Sequence, residues 1–406
     1  MKRQIRNLFF IVTFILLASG CGTQTVPEEE EDNNTHSSGQ LVEDKDSEQA
    51  AGQEGMKDPS DHDSRATDVK IALITDISSV MDNVFNQAAL QGIQTYADGA
   101  DISYSCYSTR ADAQENYKET LLSAVQDHAG LIVCAGSHFE QAVGELQNDY
   151  NDIYFLLLDG VPRDSSGNAV AIAPNVHCIT YREEEAGYLV GYMSVLEGYK
   201  KFGFIGGEEL PSVQRYGYGY LQGIDDAAGF LETADDIRVE YWYADTFLPD
   251  EQIEETSKEW YQAGTEIIFA CGGSLYQSVL SSAEVCDGML IGVDVDQSDI
   301  SKRFLTSAMK GIDSSIIIAL DDFFASGKKW PPELAGNAVS YGAREKCINL
   351  PVQSNAWRFQ TATMDEYLQI LARLKSGDIQ ISVDTDTPPE TTVAVIFHDQ
   401  QEEKDS

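Results

Sequence analysis

The sequence predicts an α/β protein with two Rossmann-like lobes, each built around a parallel sheet. Short apolar and β-branched runs alternate with amphipathic runs of helical spacing, which is the pattern of βαβ units. The alternation forms two successive series. Residues 69–406 also exceed the length that one hydrophobic core normally serves, so two similar lobes are expected.

The N-terminal segment predicts a secretory signal peptide over residues 1–20. Basic residues within Lys2–Arg6 precede an apolar stretch, Leu8–Leu17, that is too short to cross a bilayer comfortably, and small residues follow it. The segment resembles a bacterial lipoprotein signal. The resemblance implies a mature chain that begins at a lipid-modified (palmitoylated) Cys21, anchored at the outer face of the bacterial cell membrane.

Residues 21–68 predict an acidic, disordered tether. Glu28–Asp32 is an unbroken acidic run, and polar residues fill most of the remainder, so this stretch has too little apolar surface to fold. Repulsion between its acids would keep it extended. The whole chain has a formal charge of −40 at pH 7 and no basic cluster, which argues against nucleic acid and anionic ligands as partners.

The first unit of the body predicts a strand, a loop and a helix. Val69–Thr75 is the strand, a polar loop begins at Asp76, and helical spacing resumes at about Asp82. Ligands of open α/β sheets bind beyond the carboxyl ends of strands, next to helix amino termini. Asp76 and Phe85 are therefore candidate ligand contacts, with a turn cap and a core side chain as the alternatives.

Further strands and helices follow in order. In the first series the predicted strands are Asp101–Cys106, Leu131–Ala135, Tyr154–Leu158 and His177–Thr180, with helices over Gln114–Gln126 and Phe139–Leu146. In the second series the strands are Phe202–Ile205, Arg238–Tyr243, Glu266–Ala270 and Met289–Val293, with helices over Glu183–Leu196, Val213–Ala228, Gln252–Gln262 and Leu275–Cys286.

The domain boundaries follow from these series. The chain is expected to leave the first lobe near Thr180–Arg182 and to return to it with a strand at Thr306–Met309 and a helix at Asp313–Ala325. The first lobe then comprises 69–181 plus about 309–340, and the second 182–308 plus about 341–382. Residues 383–406 form an extension with one extra strand, Thr392–Phe397, and an acidic tail.

The sequence contains no clear catalytic or metal-binding pattern. It lacks the G-x-S-x-G, P-loop and H-E-x-x-H motifs, and Asp294–Asp299 lacks the glycine of a calcium loop. The glycines of 217–223 have the wrong spacing for a dinucleotide fingerprint and are predicted to permit close packing. His138, which follows a strand, is the histidine most able to face a cleft. No enzyme activity, metal or cofactor is expected.

The remaining six cysteines are predicted to lie in the hydrophobic core and not to bind a metal. Their spacing fits no metal-ligand pattern, and a single disulfide remains an open alternative. They are Cys106, Cys134, Cys178, Cys271, Cys286 and Cys347.

A series of short motifs resembles the basic membrane protein family, the lipoprotein solute receptors of ABC importers, which include purine-nucleoside receptors. The motifs are Thr75-Asp76 with Asp82–Gln87 (DNVFNQ), Phe155–Val161 (FLLLDGV), Tyr181–Glu184 leading into Ala186–Gly191 (AGYLVG), Gly203–Gly207 (GFIGG), Gly292–Gln297 (GVDVDQ) and Leu305–Lys310 (LTSAMK). The resemblance covers about 69–381. It implies the type I periplasmic-binding-protein fold, whose lobes are joined by three crossover segments and close on a ligand about a hinge.

The resemblance also implies a set of ligand contacts. Phe85 would stack on a nucleobase with Asn86 beside it, Asp159 would bind the purine edge, and Asp294 would bind the ribose hydroxyls next to Lys310. The remaining implied contacts are Asp76 at the first strand tip and the cleft-lining Ser137, Ser274 and Gly272–Gly273. Arg182 is expected to form a structural ion pair.

Two departures from the family pattern leave the ligand open. The loop Ser78–Met81 lacks the usual glycine, and Cys271–Leu275 replaces a more glycine-rich turn. A second stacking aromatic has only Tyr243 and Tyr276 as candidates.

The predicted function is a membrane-anchored solute receptor that delivers a purine nucleoside, or a similar neutral polar ligand, to an ABC permease. Three alternatives remain. The protein could present its ligand to a signalling kinase, it could bind a sugar or another small solute, or it could be a nucleoside hydrolase on a similar body.

Overall fold

The computed structural model describes residues 69–76 and 84–398, in which strands and helices alternate. The first series contains β1 (Lys70–Thr75), α1 (Val84–Ala100), β2 (Tyr104–Ser108), α2 (Gln114–Gln126), β3 (Ala129–Ala135), α3 (Glu140–Leu146), β4 (Tyr154–Leu158) and β5 (Val176–Tyr181). The second contains α4 (Glu183–Glu197), β6 (Lys201–Gly206), α5 (Pro211–Leu231), β7 (Arg238–Tyr243), α6 (Glu251–Gln262), β8 (Ile267–Cys271), α7 (Tyr276–Cys286), β9 (Met289–Asp294) and β10 (Phe304–Lys310). The chain then continues through α8 (Ile312–Ala325), β11 (Asn337–Tyr341), β12 (Ile348–Asn349), α9 (Met364–Ser376) and β13 (Ala394–His398).

Several sequence predictions lie outside the described residues. They are the signal peptide, the lipidated Cys21, the tether, the loop Ser78–Met81, the motif residues Asp82 and Asn83, and the acidic tail beyond His398.

Two sheets form the two lobes. The strand order is β11-β5-β4-β3-β1-β2 in the first sheet and β12-β10-β9-β8-β6-β7-β13 in the second. Neighbouring strands are parallel except for the short β12, which runs antiparallel to β10. Apolar side chains cover the central strands on both faces, as buried parallel sheets require. The predicted α/β fold class is confirmed.

The chain crosses between the sheets three times. It passes from β5 into α4 at Arg182, from β10 into α8 at Gly311, and from β11 to β12 after Tyr341. Helix α8 packs on α1 at Gly92, where an added Cβ would lie 2.8 Å from the Asp313 carbonyl oxygen. The crossovers leave β5, β10 and β11, which lie at or next to one edge of their sheets, so the hinge lies at that edge of each sheet.

Two predictions about strands were wrong. The strand expected to return to the first lobe, Thr306–Met309, belongs to β10 of the second sheet, because Phe304, Leu305 and Ala308 fill the core of that lobe. The return to the first lobe begins only with α8. Strand β2 begins at Tyr104 rather than Asp101 and lies at the sheet edge, so Cys106 is exposed instead of buried.

The six described cysteines are all free. Cys134, Cys178, Cys271 and Cys347 are buried, whereas Cys286 is only partly buried. The prediction of core positions therefore holds for four of the six.

Glycines allow α4 and α5 to pack closely at the first crossover. A Cβ on Gly219 would collide with the Glu184 carbonyl oxygen, and one on Gly187 would collide with the Tyr216 carbonyl oxygen. The prediction that the α5 glycines permit close packing is confirmed. The contact brings Glu183, at the start of α4, to 2.6 Å from Arg215, near the start of α5.

The C-terminal segment adds β13 to the outer edge of the second sheet. Asp225 of α5 accepts hydrogen bonds from the Thr392 and Val393 amides, and β13 then pairs in parallel with β7. The imidazole of His398 lies 2.7 Å from Glu240 of β7. These contacts attach the extension to the second lobe.

Candidate ligand-binding cleft

A cleft lies where the carboxyl ends of the two sheets face each other. Open α/β sheets bind their ligands at this position, beyond the carboxyl ends of the strands. The first lobe contributes Asp76, Phe85, Asn86, Asp159 and the turn Ala135–His138. The second lobe contributes Leu210, Ser212, Val213, Tyr216, Phe247, the turn Cys271–Gly273, Val293, Asp294 and Lys310.

Two aspartates occupy equivalent strand ends in the two lobes. Asp159 follows β4 with a φ of 60°, and Asp294 ends β9 with a φ of 66°. This left-handed region is uncommon for residues other than glycine, and aspartate is among those that tolerate it. Such backbone conformations cluster at functional sites, where they direct a side chain. Both carboxylates line the cleft.

The ammonium group of Lys310 lies among three carboxylates from different parts of the chain. Its Nζ atom is 2.6 Å from Asp159 Oδ2, 3.4 Å from Glu183 Oε1 and 3.6 Å from Asp294 Oδ1. The Lys310 side chain is 3% exposed, so this cluster is shielded from solvent. The pair with Asp159 joins the second sheet to the first.

Aromatic rings surround the same ammonium group. Nζ lies 4.7 Å from the ring centroid of Phe85, 5.1 Å from that of Tyr181 and 5.6 Å from that of Tyr216. A cation within about 6 Å of a ring face is attracted by the ring quadrupole. The hydroxyl of Tyr216 also donates to Asp294 Oδ1 at 3.1 Å. The rings and the carboxylates therefore fix the Lys310 side chain from several directions.

Burial and neighbouring charges shift the protonation of this cluster. Burial raises the pKa of Asp159 and of Asp294 above their ordinary values, and Lys310 opposes both shifts. Burial alone would lower the pKa of Lys310, but the attraction of Asp159, Asp294 and Glu183 raises it overall. Arg215 pairs with Glu183 at 2.6 Å. Three carboxylates thus face two cations, so the fully ionised cluster has one net negative charge.

Asp159 retains an unused acceptor in the cleft. One carboxylate oxygen binds Lys310, whereas Oδ1 is buried and has no hydrogen-bond partner among the described residues. A buried acceptor without a partner costs about 1–3 kcal/mol. A ligand N–H or O–H donor at this position would remove that cost.

Phe85 and Asn86 line the cleft at the start of α1. The amide nitrogen of Asn86 donates to Asp76 Oδ1 at 2.9 Å, and Asn86 is buried. This bond ties the helix start to the tip of β1 and thereby orients Phe85 beside Lys310.

Most of the expected contacts come together, but Ser274 does not. Asp76, Phe85, Asn86, Ser137, Asp159, Asp294 and Lys310 line the cleft, as does the Gly272–Gly273 turn. Ser274 is instead buried behind the lining, where its hydroxyl donates to the Phe247 carbonyl at 3.3 Å. Arg182 forms ion pairs with Glu184 and Glu185 and does not line the cleft.

The second aromatic of the cleft is neither of the two candidates. Tyr243 packs edge-on to Tyr241, Tyr276 packs on Phe304, and neither lines the cleft. Phe247 and Tyr216 line it instead. Phe247 lies in the loop after β7, and an aromatic residue just beyond a predicted strand end was the signal that could have identified it. Tyr216 lies one helical turn inside α5 and had no such signal.

His138 lines the cleft, as its position after a strand suggested. Its Nε2 atom lies 3.0 Å from Glu208 Oε2, and a second cavity adjoins it. The described residues contain no group of three or more potential metal ligands. None of the helices described here is long and apolar enough to span a bilayer.

Two α/β lobes joined by three crossovers, with a buried polar cleft between their strand ends, define the type I periplasmic-binding-protein fold. Solved structures share this fold. An ABC transporter solute-binding protein from Aeropyrum pernix K1 matches with a TM-score of 0.67 and 17% identity, over 78% of this chain and 95% of that one. Another from Conexibacter woesei matches with a TM-score of 0.60 and 19% identity, over 77% and 98%.

The chain belongs to the Bmp family, described as PnrA-like ABC transporter substrate-binding proteins, whose family model matches residues 69–385. A CD4+ T-cell-stimulating antigen of Listeria innocua is 26% identical over 82% of this chain and 93% of its own length. The ABC transporter nucleoside-binding protein BmpA of Lactococcus lactis is 26% identical over 62% and 70%. Basic membrane protein B of Borreliella burgdorferi is 24% identical over 77% and 86%.

These matches confirm the predicted family, fold class and receptor function. The protein is a substrate-binding protein of an ABC transporter and not an enzyme, and such proteins bind small molecules outside the cytoplasm and work with a permease. Strand β13 begins beyond the last matched residue, so it is an addition to the family body.

Proposed function

We propose that this receptor binds a purine nucleoside in the cleft and delivers it to its ABC permease. The observation that carries the proposal is the combination of Phe85 with two strand-end carboxylates, Asp159 and Asp294, around one buried ammonium group. A nucleoside offers a planar face, ring N–H or amino donors and a vicinal diol. The cleft offers the Phe85 ring for the planar face and the carboxylates of Asp159 and Asp294 for the N–H and hydroxyl donors.

Each contact has a physical reason. A base stacked on an aromatic ring gains about 1–3 kcal/mol. Carboxylates accept from N–H and hydroxyl donors as charge-assisted hydrogen bonds. The buried Asp159 Oδ1 atom makes such a contact selective, because an analogue without the donor leaves it unpaired. The nucleoside-binding name of the Lactococcus lactis relative agrees with this ligand class.

A thermal-shift screen of the purified protein tests the ligand class. Nucleosides, free bases, pentoses, hexoses and amino acids are added at saturating concentration. A ligand at 100 times its Kd adds about 2.7 kcal/mol to the free energy of unfolding and raises Tm measurably. We expect purine nucleosides alone to raise it. A shift with sugars alone would refute the nucleobase roles of Phe85 and Asp159.

We further propose that Cys21 carries the lipid that holds the receptor at the outer face of the membrane, with residues 22–68 as the spacer. The proposal is supported by the basic, apolar and small-residue segments that precede Cys21. Cys21→Ser should move the protein from the membrane fraction to the soluble fraction. Retention of the variant on membranes would refute the lipid anchor.

A further inference from the structure

An ion pair between His138 and Glu208 joins the two lobes beside the cleft. His138 follows β3 of the first sheet and Glu208 follows β6 of the second, and their Nε2 and Oε2 atoms are 3.0 Å apart. Neither residue belongs to the proposed nucleoside contacts.

The His138–Glu208 pair lies further from the hinge than the Lys310–Asp159 pair does. Lys310 ends β10, one residue before a crossover, and Asp159 follows β4, which is adjacent to β5. His138 follows β3, which lies two strands away from β5. Glu208 follows β6, which lies three strands away from β10. At about 4.8 Å per strand these offsets are roughly 10 and 14 Å. Because displacement grows with distance from a hinge, lobe opening separates His138 from Glu208 more than it separates Lys310 from Asp159.

The imidazole ring of His138 is held in place by both lobes. It stacks on Tyr117 of α2 with a centroid distance of 5.5 Å and an interplanar angle of 9°. Phe247 of the second lobe meets it edge-on at 6.2 Å. The His138 side chain is 16% exposed and that of Glu208 28%, so the pair is partly shielded from solvent. The ring therefore has one orientation, with Nε2 directed at Glu208.

The charged groups around His138 favour its protonated form. Burial opposes the charge, but Glu208, followed by Asp76 and Asp112, raises the pKa of His138 above its ordinary value of 6.5. Asp245, beyond β7, lines the adjoining cavity with these acids. The neighbouring Tyr117 hydroxyl donates to Asp112 at 2.7 Å, and burial keeps this phenol neutral by raising its pKa.

We infer that the His138–Glu208 pair is a latch that stabilises the closed arrangement of the lobes and makes closure pH-dependent. In the open arrangement His138 loses Glu208 and reverts towards its ordinary protonation. The closed form therefore gains stability that is complete below pH 6.5 and is lost as the pH rises through the raised pKa of His138. Because closure encloses the ligand, affinity falls over the same range. This last step rests on the proposed function, whereas the latch itself does not.

A double-mutant cycle with His138→Gln and Glu208→Gln tests the latch. Both substitutions keep hydrogen-bonding groups of similar size and remove the charge. Adenosine affinity is measured by calorimetry at pH 6.0 and 9.0, between which adenosine itself does not titrate. A partly exposed pair contributes up to about 1 kcal/mol, which is a factor of about five in Kd. At pH 6.0 we expect each single variant to bind about fivefold more weakly, and the double variant to be no worse.

At pH 9.0 the four proteins should agree within about twofold, and 1 M salt should shrink the difference at pH 6.0. An equal loss at both pH values, or additive losses in the double variant, would overturn the latch. Glu208 is more exposed than His138, so Glu208→Gln serves as the second variant if His138→Gln fails to fold.

Small-angle X-ray scattering of the ligand-free protein separates the latch from the ligand assignment. We expect the radius of gyration of the unsubstituted protein to increase from pH 6.0 to 9.0, and that of either single variant to stay constant. If adenosine does not bind but this increase occurs, the latch stands and the nucleoside assignment falls. An unsubstituted protein whose radius of gyration is the same at both pH values would refute the latch.

Discussion

Replacing Lys310 by methionine should destabilise the folded protein strongly. The substitution keeps the apolar length of the side chain and removes the ammonium group that lies 2.6 Å from Asp159 and 3.4 Å from Glu183. The partner side chains are 8% and 0% exposed, so water cannot replace the lost cation. Removal of one partner from a buried ion pair costs about 3–5 kcal/mol, and we expect a loss of this size at pH 8.

The loss should shrink as the pH falls. Burial raises the pKa of Asp159 and of Asp294, and in the variant Lys310 no longer opposes that shift. A carboxyl with a raised pKa in the folded state favours folding below its ordinary pKa, and this contribution is lost as the pH rises through the raised value. The deficit of Lys310→Met is therefore largest at pH 8 and smaller at pH 5, where the carboxyls can take up protons.

Urea unfolding at pH 5 and pH 8 measures both effects. Lys258→Met on α6 is a matched control, because the same residue change occurs at an exposed position. Asp159→Asn in the Lys310→Met background should recover part of the loss. A Lys310→Met protein within about 1 kcal/mol of the unsubstituted protein at pH 8, or an equal deficit at both pH values, would refute this account of the cluster.

Three further predictions concern ligand binding. Phe85→Ala should weaken nucleoside binding by one to two powers of ten, because stacking contributes about 1–3 kcal/mol. Phe230→Ala is the control and should leave the affinity unchanged, because the Phe230 side chain is 71% exposed. If calorimetry shows unchanged affinity for Phe85→Ala, Phe85 does not stack on the ligand. Asp294→Asn should weaken ribonucleosides more than 2′-deoxyribonucleosides, and equal losses would argue against a diol contact. Adenosine 5′-monophosphate should bind at least about 100-fold more weakly than adenosine. Lys310 is the one lysine or arginine among the described lining residues, and the carboxylates around it would repel a phosphate group. Comparable affinities would show that these carboxylates do not exclude anionic ligands.

The central strands and the strand-end aspartates could be predicted from sequence because their signals are local. Continuous apolar runs such as Leu131–Ala135 have few alternatives to a buried parallel strand. Edge strands lack that signal. Strand β11 is largely exposed and polar, and it is a strand because it pairs with β5. The same reason accounts for the misplaced start of β2 and the exposed Cys106.

The cleft was predictable in its parts but not in its arrangement. Asp159, Asp294 and Lys310 could each be proposed from a short motif. That Glu183 completes their cluster depends on how α4 meets α5, which no local pattern reveals. Phe247 likewise becomes a cleft residue through tertiary packing, since its ring fits against the side-chain-free Gly207 and Gly272.

The crossover to β11 has a consequence for biosynthesis. His177 of β5 and the Asn337 carbonyl of β11 are 3.1 Å apart in space but separated by 160 positions in the chain. While the chain emerges from the ribosome or the membrane, β5 has an unpaired edge until residue 341 has followed. An unpaired edge is a template for aggregation, and pairing between distant segments is slow. The first sheet therefore cannot be completed before most of the second lobe has been synthesised, and a truncation just before β11 would leave the β5 edge open.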